Sequence, residues 1–178
     1  GENSEAQTKM GNALNLLMNG NVFLYYGEEL GMKGSGKDEN KRAPMYWNKD
    51  GNAEGMCKGP ADMDDFRMKF DSLEEQQEDP DSIYNYVKQV IRVRNQNPVI
   101  ARGTTAYLEQ YSGEQCFALT RSYEGSNLLL LGNTSAEAVS VDLTGLTVGG
   151  TTAEELVLLG ELYTGEETAE RAGTVATL

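Results

Sequence analysis

No histidine occurs anywhere in the chain, which removes the usual general base, the Ser-His and Cys-His nucleophile systems and the commonest zinc ligand. Acidic side chains carry what chemistry is left. Glu28 and Glu29 stand side by side at the end of the apolar run Val22-Phe23-Leu24-Tyr25-Tyr26. Successive residues of an extended chain point to opposite faces, so these adjacent carboxylates do not converge on one bond. Hydrogen bonding and charge pairing at the end of the run suit both better than catalysis. Cys57 and Cys116 form no Cys-x-x-Cys pair, and two thiols cannot staple a small secreted scaffold, so both read as free. The residues imply no catalytic group, no metal site and no cofactor.

Spacing specifies the elements that hold these side chains. Ser4 and Gln7 have a capping-box separation, and Ala6, Met10, Ala13, Leu14, Leu17 and Met18 follow at helical intervals, which predicts a helix with one apolar stripe. Asn19-Gly20 supplies its stop. Val22 to Tyr26 is continuously apolar rather than alternating, the pattern of a strand buried on both faces in a parallel sheet covered by helices. Tyr25 and Tyr26 are expected in the core, with one hydroxyl reaching a site.

From Gly27 to Asp81 the composition turns polar. Loops of such length are uncommon inside compact domains unless they serve a site, although residues 49–64 read as solvated loop. Phe66, Met68, Phe70 and Leu73 suit a short packed turn. A second helix starts near Pro80-Asp81-Ser82, carries Ile83, Tyr86, Val87, Val90, Ile91 and Arg94 on one stripe, and ends at Asn97-Pro98. After Arg102-Gly103 the pattern changes to short β runs at 104–111, 116–123, 128–131, 139–143 and 156–159. Ser112-Gly113, Glu124-Gly125, Gly132-Asn133 and Gly149-Gly150 separate them. Such a succession without helices predicts an antiparallel sandwich or barrel-like module.

The formal charge of -13, from 28 acidic and 15 basic residues, repels phosphate backbones and anionic lipids, so neither nucleic acid nor membrane is an expected partner. No signal peptide or apolar span is recognisable, and of the compartments an extracellular or cell-surface one is favoured over the cytoplasm. One buried strand with two helices cannot complete a sheet. The first part therefore looks cut from something larger, with uncovered edges that favour self-association of the fragment.

The segment Gly20-Asn21-Val22-Phe23-Leu24-Tyr25-Tyr26-Gly27-Glu28-Glu29-Leu30-Gly31-Met32 is followed, after Gly34, by Asp38-Glu39-Asn40-Lys41-Arg42-Ala43-Pro44-Met45-Tyr46-Trp47. Together they resemble the eighth-strand region of the α-amylase family of glycoside hydrolases, where a YYGEE-(I/L)-GM strand end precedes an R-x-P-M-x-W loop. Residues 81–103 look like that family's last barrel helix and its exit. Residues 104–178 resemble its small β domain in pattern only, and stop where members continue into one more strand. The wording is nearest to neopullulanase, cyclomaltodextrinase and oligo-1,6-glucosidase types.

The resemblance implies an α+β fragment: 1–102 as the carboxy-terminal part of a (β/α)8 catalytic barrel with a long loop at about 27–81, and 103–178 as an antiparallel β-sandwich domain. Members cleave α-glucosidic bonds with retention, using carboxylates on the fourth, fifth and seventh strands. This chain is expected to begin after all three and to be inactive alone. Asp38 and Arg42 match the pair that holds sugar in the cleavage subsite, since a carboxylate accepts from hydroxyls while a guanidinium donates in a fixed fork. The competing reading is a surface ion pair. Tyr46 is a further substrate contact, and Trp47 is expected to pack the loop. The intact protein's partner would be an α-glucan or oligosaccharide, with hydrolysis and transglycosylation inseparable. The alternative from another class is a non-catalytic carbohydrate-binding or structural β module, for which Tyr107, Tyr111, Tyr123 and Tyr163 are the aromatic candidates.

Overall fold

A computed structural model describes residues 4–159, 162 and 170–178 of the chain. They form two compact units, one of the residues up to Asn15 with Phe23–Val90, the other of Leu16–Val22 with Ile91–Leu178.

The first unit contains α1 (Glu5–Leu16) up to Asn15, α2 (Leu73–Glu78) and α3 (Ile83–Gln96) up to Val90, joined by long irregular segments with two short 3-10 turns. The Ser4 hydroxyl accepts from the Gln7 amide and the Gln7 side chain accepts from the Ser4 amide, so the expected capping box starts α1. The buried face of α1 is only partly the expected one: Ala13 is buried and Ala6, Met10 and Leu17 are half-buried. Lys9, Asn12, Ala13 and Leu16 are buried, whereas Leu14 and Met18 are 42% and 54% exposed. Hydrogen bonds permit the rotation: Lys9 donates to the Asp81 carbonyl and pairs with Glu5, and Asn12 donates to the carbonyls of Thr8 and Glu28.

The core of this unit comes from α3. Ile83, Tyr86, Val87 and Val90 are buried on one stripe, together with Leu30 and Ala43. Each fully buried aliphatic side chain contributes about 1.5–3 kcal/mol. Ser82 opens the helix, its hydroxyl accepting from the Asn85 amide. Phe66, Met68 and Phe70 are half-buried in the segment expected to pack, and the short α2 follows it from Leu73. Its start is a capping box in which Ser72 and Glu75 bond reciprocally. Buried Gln76 then ties it to its surroundings, donating to the carbonyls of Leu30 and Asp71 and accepting from the Tyr84 amide.

Val22 to Tyr26 joins no sheet. Phe23 is 85% exposed, and Leu24, Tyr25 and Tyr26 are also exposed rather than in a core. A strand buried on both faces exists only with hydrogen-bonded neighbours and covering helices, and the described residues supply neither.

The second unit is antiparallel. Strands β1 (Thr104–Tyr107), β2 (Cys116–Tyr123) and β3 (Ser126–Asn133) pair in chain order, with Thr104 opposite Ser122 and Cys116 opposite Asn133. Glu124-Gly125 turns β2 into β3 with positive φ at both residues, the twist a two-residue hairpin requires. A second hairpin joins β5 (Thr147–Val148) to β6 (Thr151–Thr152). The third sheet places β8 (Val175–Thr177) between β4 (Ser140–Asp142) and β7 (Glu170–Ala172). The core gathers Tyr111, Ala118, Val141, Leu143, Leu146, Val148, Ala153 and Ala176. Residues 156–159 form no strand, and Val157 is 89% exposed. The Thr152–Glu155 capping box just before them winds the chain into a 3-10 turn instead. The short helix α4 (Pro98–Arg102), with Pro98 at its first turn, follows α3 directly.

Candidate functional site

Two left-handed glycines shape the approach to the site. Gly27 and Gly31, with φ of 88° and 64°, bracket the single turn Glu28–Leu30. Within it the Glu28 carboxylate accepts from the Tyr25 amide at 3.1 Å and the Glu29 carboxylate from the Gly27 amide at 2.8 Å. Both acids are thus engaged with their own backbone, as their position at the end of the apolar run suggests.

Asp38 and Arg42 lie at the two ends of a 3-10 turn, Asp38–Arg42. One Arg42 Nη stands 3.4 Å from Asp38 and 3.5 Å from Glu39. The two side chains of the expected pair are 75% and 52% exposed, so their attraction adds at most about 1 kcal/mol to stability and both heads remain open to a ligand. Tyr46 is only half-buried, its hydroxyl 3.5 Å from the Lys49 carbonyl. No hydrogen bond joins it to Asp38 or Arg42 among the described residues. Backbone contacts place this stretch, because the Tyr46 and Trp47 carbonyls accept from the Leu73 and Glu74 amides at the start of α2. Trp47 remains 44% exposed, less packed than its expected role.

Tyr26 reaches the turn. Its hydroxyl donates to the carbonyl of Ala43, next to Arg42, at 3.0 Å, and its ring leans on Tyr25 with centroids 4.8 Å apart. Partial burial, and secondarily the neighbouring Tyr25, push the Tyr26 hydroxyl above its ordinary pKa. A pocket of about 210 Å³ abuts this turn, lined by Tyr25, Tyr26, Glu28, Asn40, Lys41 and Ala43 among others. A larger open groove of 550 Å³ runs beside Asn12, Asn15, Phe23 and Phe70 and includes none of the three expected contacts.

Sequence reasoning missed the residues that fix the turn, Asn40 and Asp64. Asn40 is buried, and its amide exchanges hydrogen bonds with Asp64, which also pairs with Lys37 at 2.7 Å. The Lys37 contact, and next the Asn40 amide, hold the Asp64 carboxyl below the usual carboxylate range. An asparagine within a polar stretch carries no periodic signal, and Asp64 sat in the segment read as solvated loop.

In the second unit Tyr111 fills the core, its hydroxyl 3.4 Å from the Thr144 carbonyl, and Tyr123 lies against Arg102. Tyr107 is 62% exposed; Tyr163 lies outside the described residues. Among the described residues, Tyr107, Tyr111 and Tyr123 make no ring contact with one another. Both cysteines are free, as expected, and no helix among the described residues is long and apolar enough to cross a membrane.

Residues 1–103 match the family description "Alpha amylase, catalytic domain". Among solved structures, Amy13B of Eubacterium rectale is 41% identical with a TM-score of 0.91, the match covering 100% of this chain and 33% of that one. A trehalose synthase of Thermus thermophilus is 27% identical over 142 residues, 74% of this chain and 15% of its own length. A probable oligo-1,6-glucosidase 2 of Bacillus subtilis is 28% identical, the match covering 77% of this chain and 31% of the relative. The chain belongs to the α-amylase family, and it spans a third or less of the length of these relatives.

Proposed function

We propose that this chain is the carboxy-terminal part of a retaining α-glucan hydrolase. On this reading residues 1–102 complete a (β/α)8 catalytic barrel, 103–178 form an appended β-sandwich domain, and the carboxylates of the cleavage step belong to the remainder of the protein. Asp38, Arg42 and Tyr46 line the subsite that holds the sugar. The observation carrying the reading is the Asp38–Arg42 pair, adjacent on one turn and open to solvent, which offers acceptor and forked donor together to a neutral polyol. Glu28 and Glu29 each accept from a backbone amide, which supports a local structural role for both rather than a catalytic one.

Steady-state kinetics on maltooligosaccharides test it in the full-length polypeptide. Arg42→Ala and Asp38→Ala raise KM by roughly tenfold, Glu28→Gln leaves kcat within about twofold, and the isolated chain shows no turnover. Hydrolysis by the isolated chain, or unchanged KM in both alanine variants, overturns the proposal.

A further inference from the structure

We infer that Asn40 and Asp64 form a clasp that positions Asp38 and Arg42 for sugar binding, a role that rests on the function just proposed. Asn40 is the only buried residue of the Asp38–Arg42 turn, at 4% exposure. Its amide is fully used. The Nδ2 donates to the Ser35 carbonyl and to the Asp64 carboxylate, each at 2.8 Å, and the Oδ1 accepts from the Asp64 amide at 2.9 Å. Asp64 is equally committed, with one carboxylate oxygen on Asn40 and the other 2.7 Å from Lys37. The two halves of the polar loop are thereby locked together across an interval of 24 residues.

An ion pair between exposed side chains does not fix the backbone that carries it. Something buried must, and within this turn only Asn40 is buried. The glycines before it accommodate the lock: a Cβ on Gly36 would stand 3.3 Å from the Asn40 Nδ2, and one on Gly34 would stand 3.2 Å from the Asn40 carbonyl oxygen. On the far side the Tyr26 hydroxyl holds the Ala43 carbonyl. Arg42 is thus exposed at its head and fixed at its root, the condition under which a fork presents donors at low entropic cost. Asn40 and Asp64 are positioning residues and do not touch sugar.

Loosening the clasp weakens contacts made equally in ground and transition states, so it raises KM and leaves kcat unchanged. The experiment is kinetics on maltooligosaccharides with the full-length enzyme, using Asn40→Ala, Asp64→Ala, Asn40→Asp and the exchanged pair Asn40→Asp with Asp64→Asn, beside Arg42→Ala. Asn40→Ala and Asp64→Ala raise KM about fivefold to tenfold at constant kcat. Asn40→Asp, which sets a second carboxylate against that of Asp64, raises it further, and the exchanged pair recovers part of the loss. Should Asn40→Ala fail to fold, Asp64→Ala, at an exposed position, carries the same expectation. If Arg42→Ala leaves KM unchanged, the functional reading fails and the clasp with it. A clear KM effect for Arg42→Ala without one for Asp64→Ala, or an exchanged pair no better than Asn40→Asp, overturns the clasp alone.

Discussion

Arg94 donates through Nη1 to the carbonyl oxygen of Leu16, the last residue of α1, at 2.7 Å. The same guanidinium reaches the carbonyls of Met18 and Gly20, and Arg121 donates to that of Leu17 at 3.1 Å. Two largely buried cations thus collect the last carbonyl of the helix and three from the segment just past it, where the dipole also favours positive charge. Burial, and then the like charge of Arg94, lower the Arg121 pKa. Replacing Arg94 by Met orphans three carbonyls, and urea denaturation of the chain should show a loss on the order of 3 kcal/mol. Arg94→Lys should recover less than half of it, because an ammonium lacks the fork.

Gly31 tolerates no side chain. Its φ of 64° disfavours any other residue, and a Cβ would stand 2.6 Å from the Phe70 ring and 2.9 Å from the Ile83 side chain. Gly31→Ala should cost about 2–4 kcal/mol by adding left-handed strain to overpacking. Gly51 has a similar φ of 62° with open space around it, so Gly51→Ala should cost only about 1 kcal/mol. Thermal melts of the two variants separate the terms, and equal losses would contradict the assignment of close packing to Gly31.

Tyr86 sets an alkaline limit. Burial pushes its hydroxyl up to about 12 from an ordinary value of 10.0. The unfolded chain therefore releases this proton first, so the stability is complete below pH 10 and declines as pH rises towards about 12. The loss should reach on the order of 2 kcal/mol, and Tyr86→Phe should abolish this part of the pH dependence in denaturation curves. At the acid end the sign reverses. Asp64, held low by Lys37 and Asn40, and Glu75, held low by Ser72, contribute stability that is lost as pH falls through their depressed values.

The parts legible in the sequence were those with a period or a local rule. The stripe from Ile83 to Arg94, the Ser4–Gln7 box, the Glu124-Gly125 turn and the strand at 116–123 each follow from spacing within a few residues. The short α2 was signalled by Ser72 and Glu75, a box spacing obscured by the acidic run around it. The buried face of α1 was only partly legible, because Lys9 and Asn12 are buried through hydrogen bonds to Asp81 and Glu28, partners far along the chain. Asp38 and Arg42 could be singled out by their wording, whereas Asn40 and Asp64 meet only in the fold.

Phe23, 85% exposed, and its uncovered neighbours sit on a molecule with a formal charge of -13. Mutual repulsion between copies opposes the meeting of these apolar side chains, and such repulsion acts only over a Debye length. Colloidal behaviour is accordingly governed by electrolyte: light scattering should stay low in dilute buffer and rise as salt approaches molar strength, with Phe23→Ser delaying the onset. A scattering signal indifferent to salt would place the attraction elsewhere on the surface.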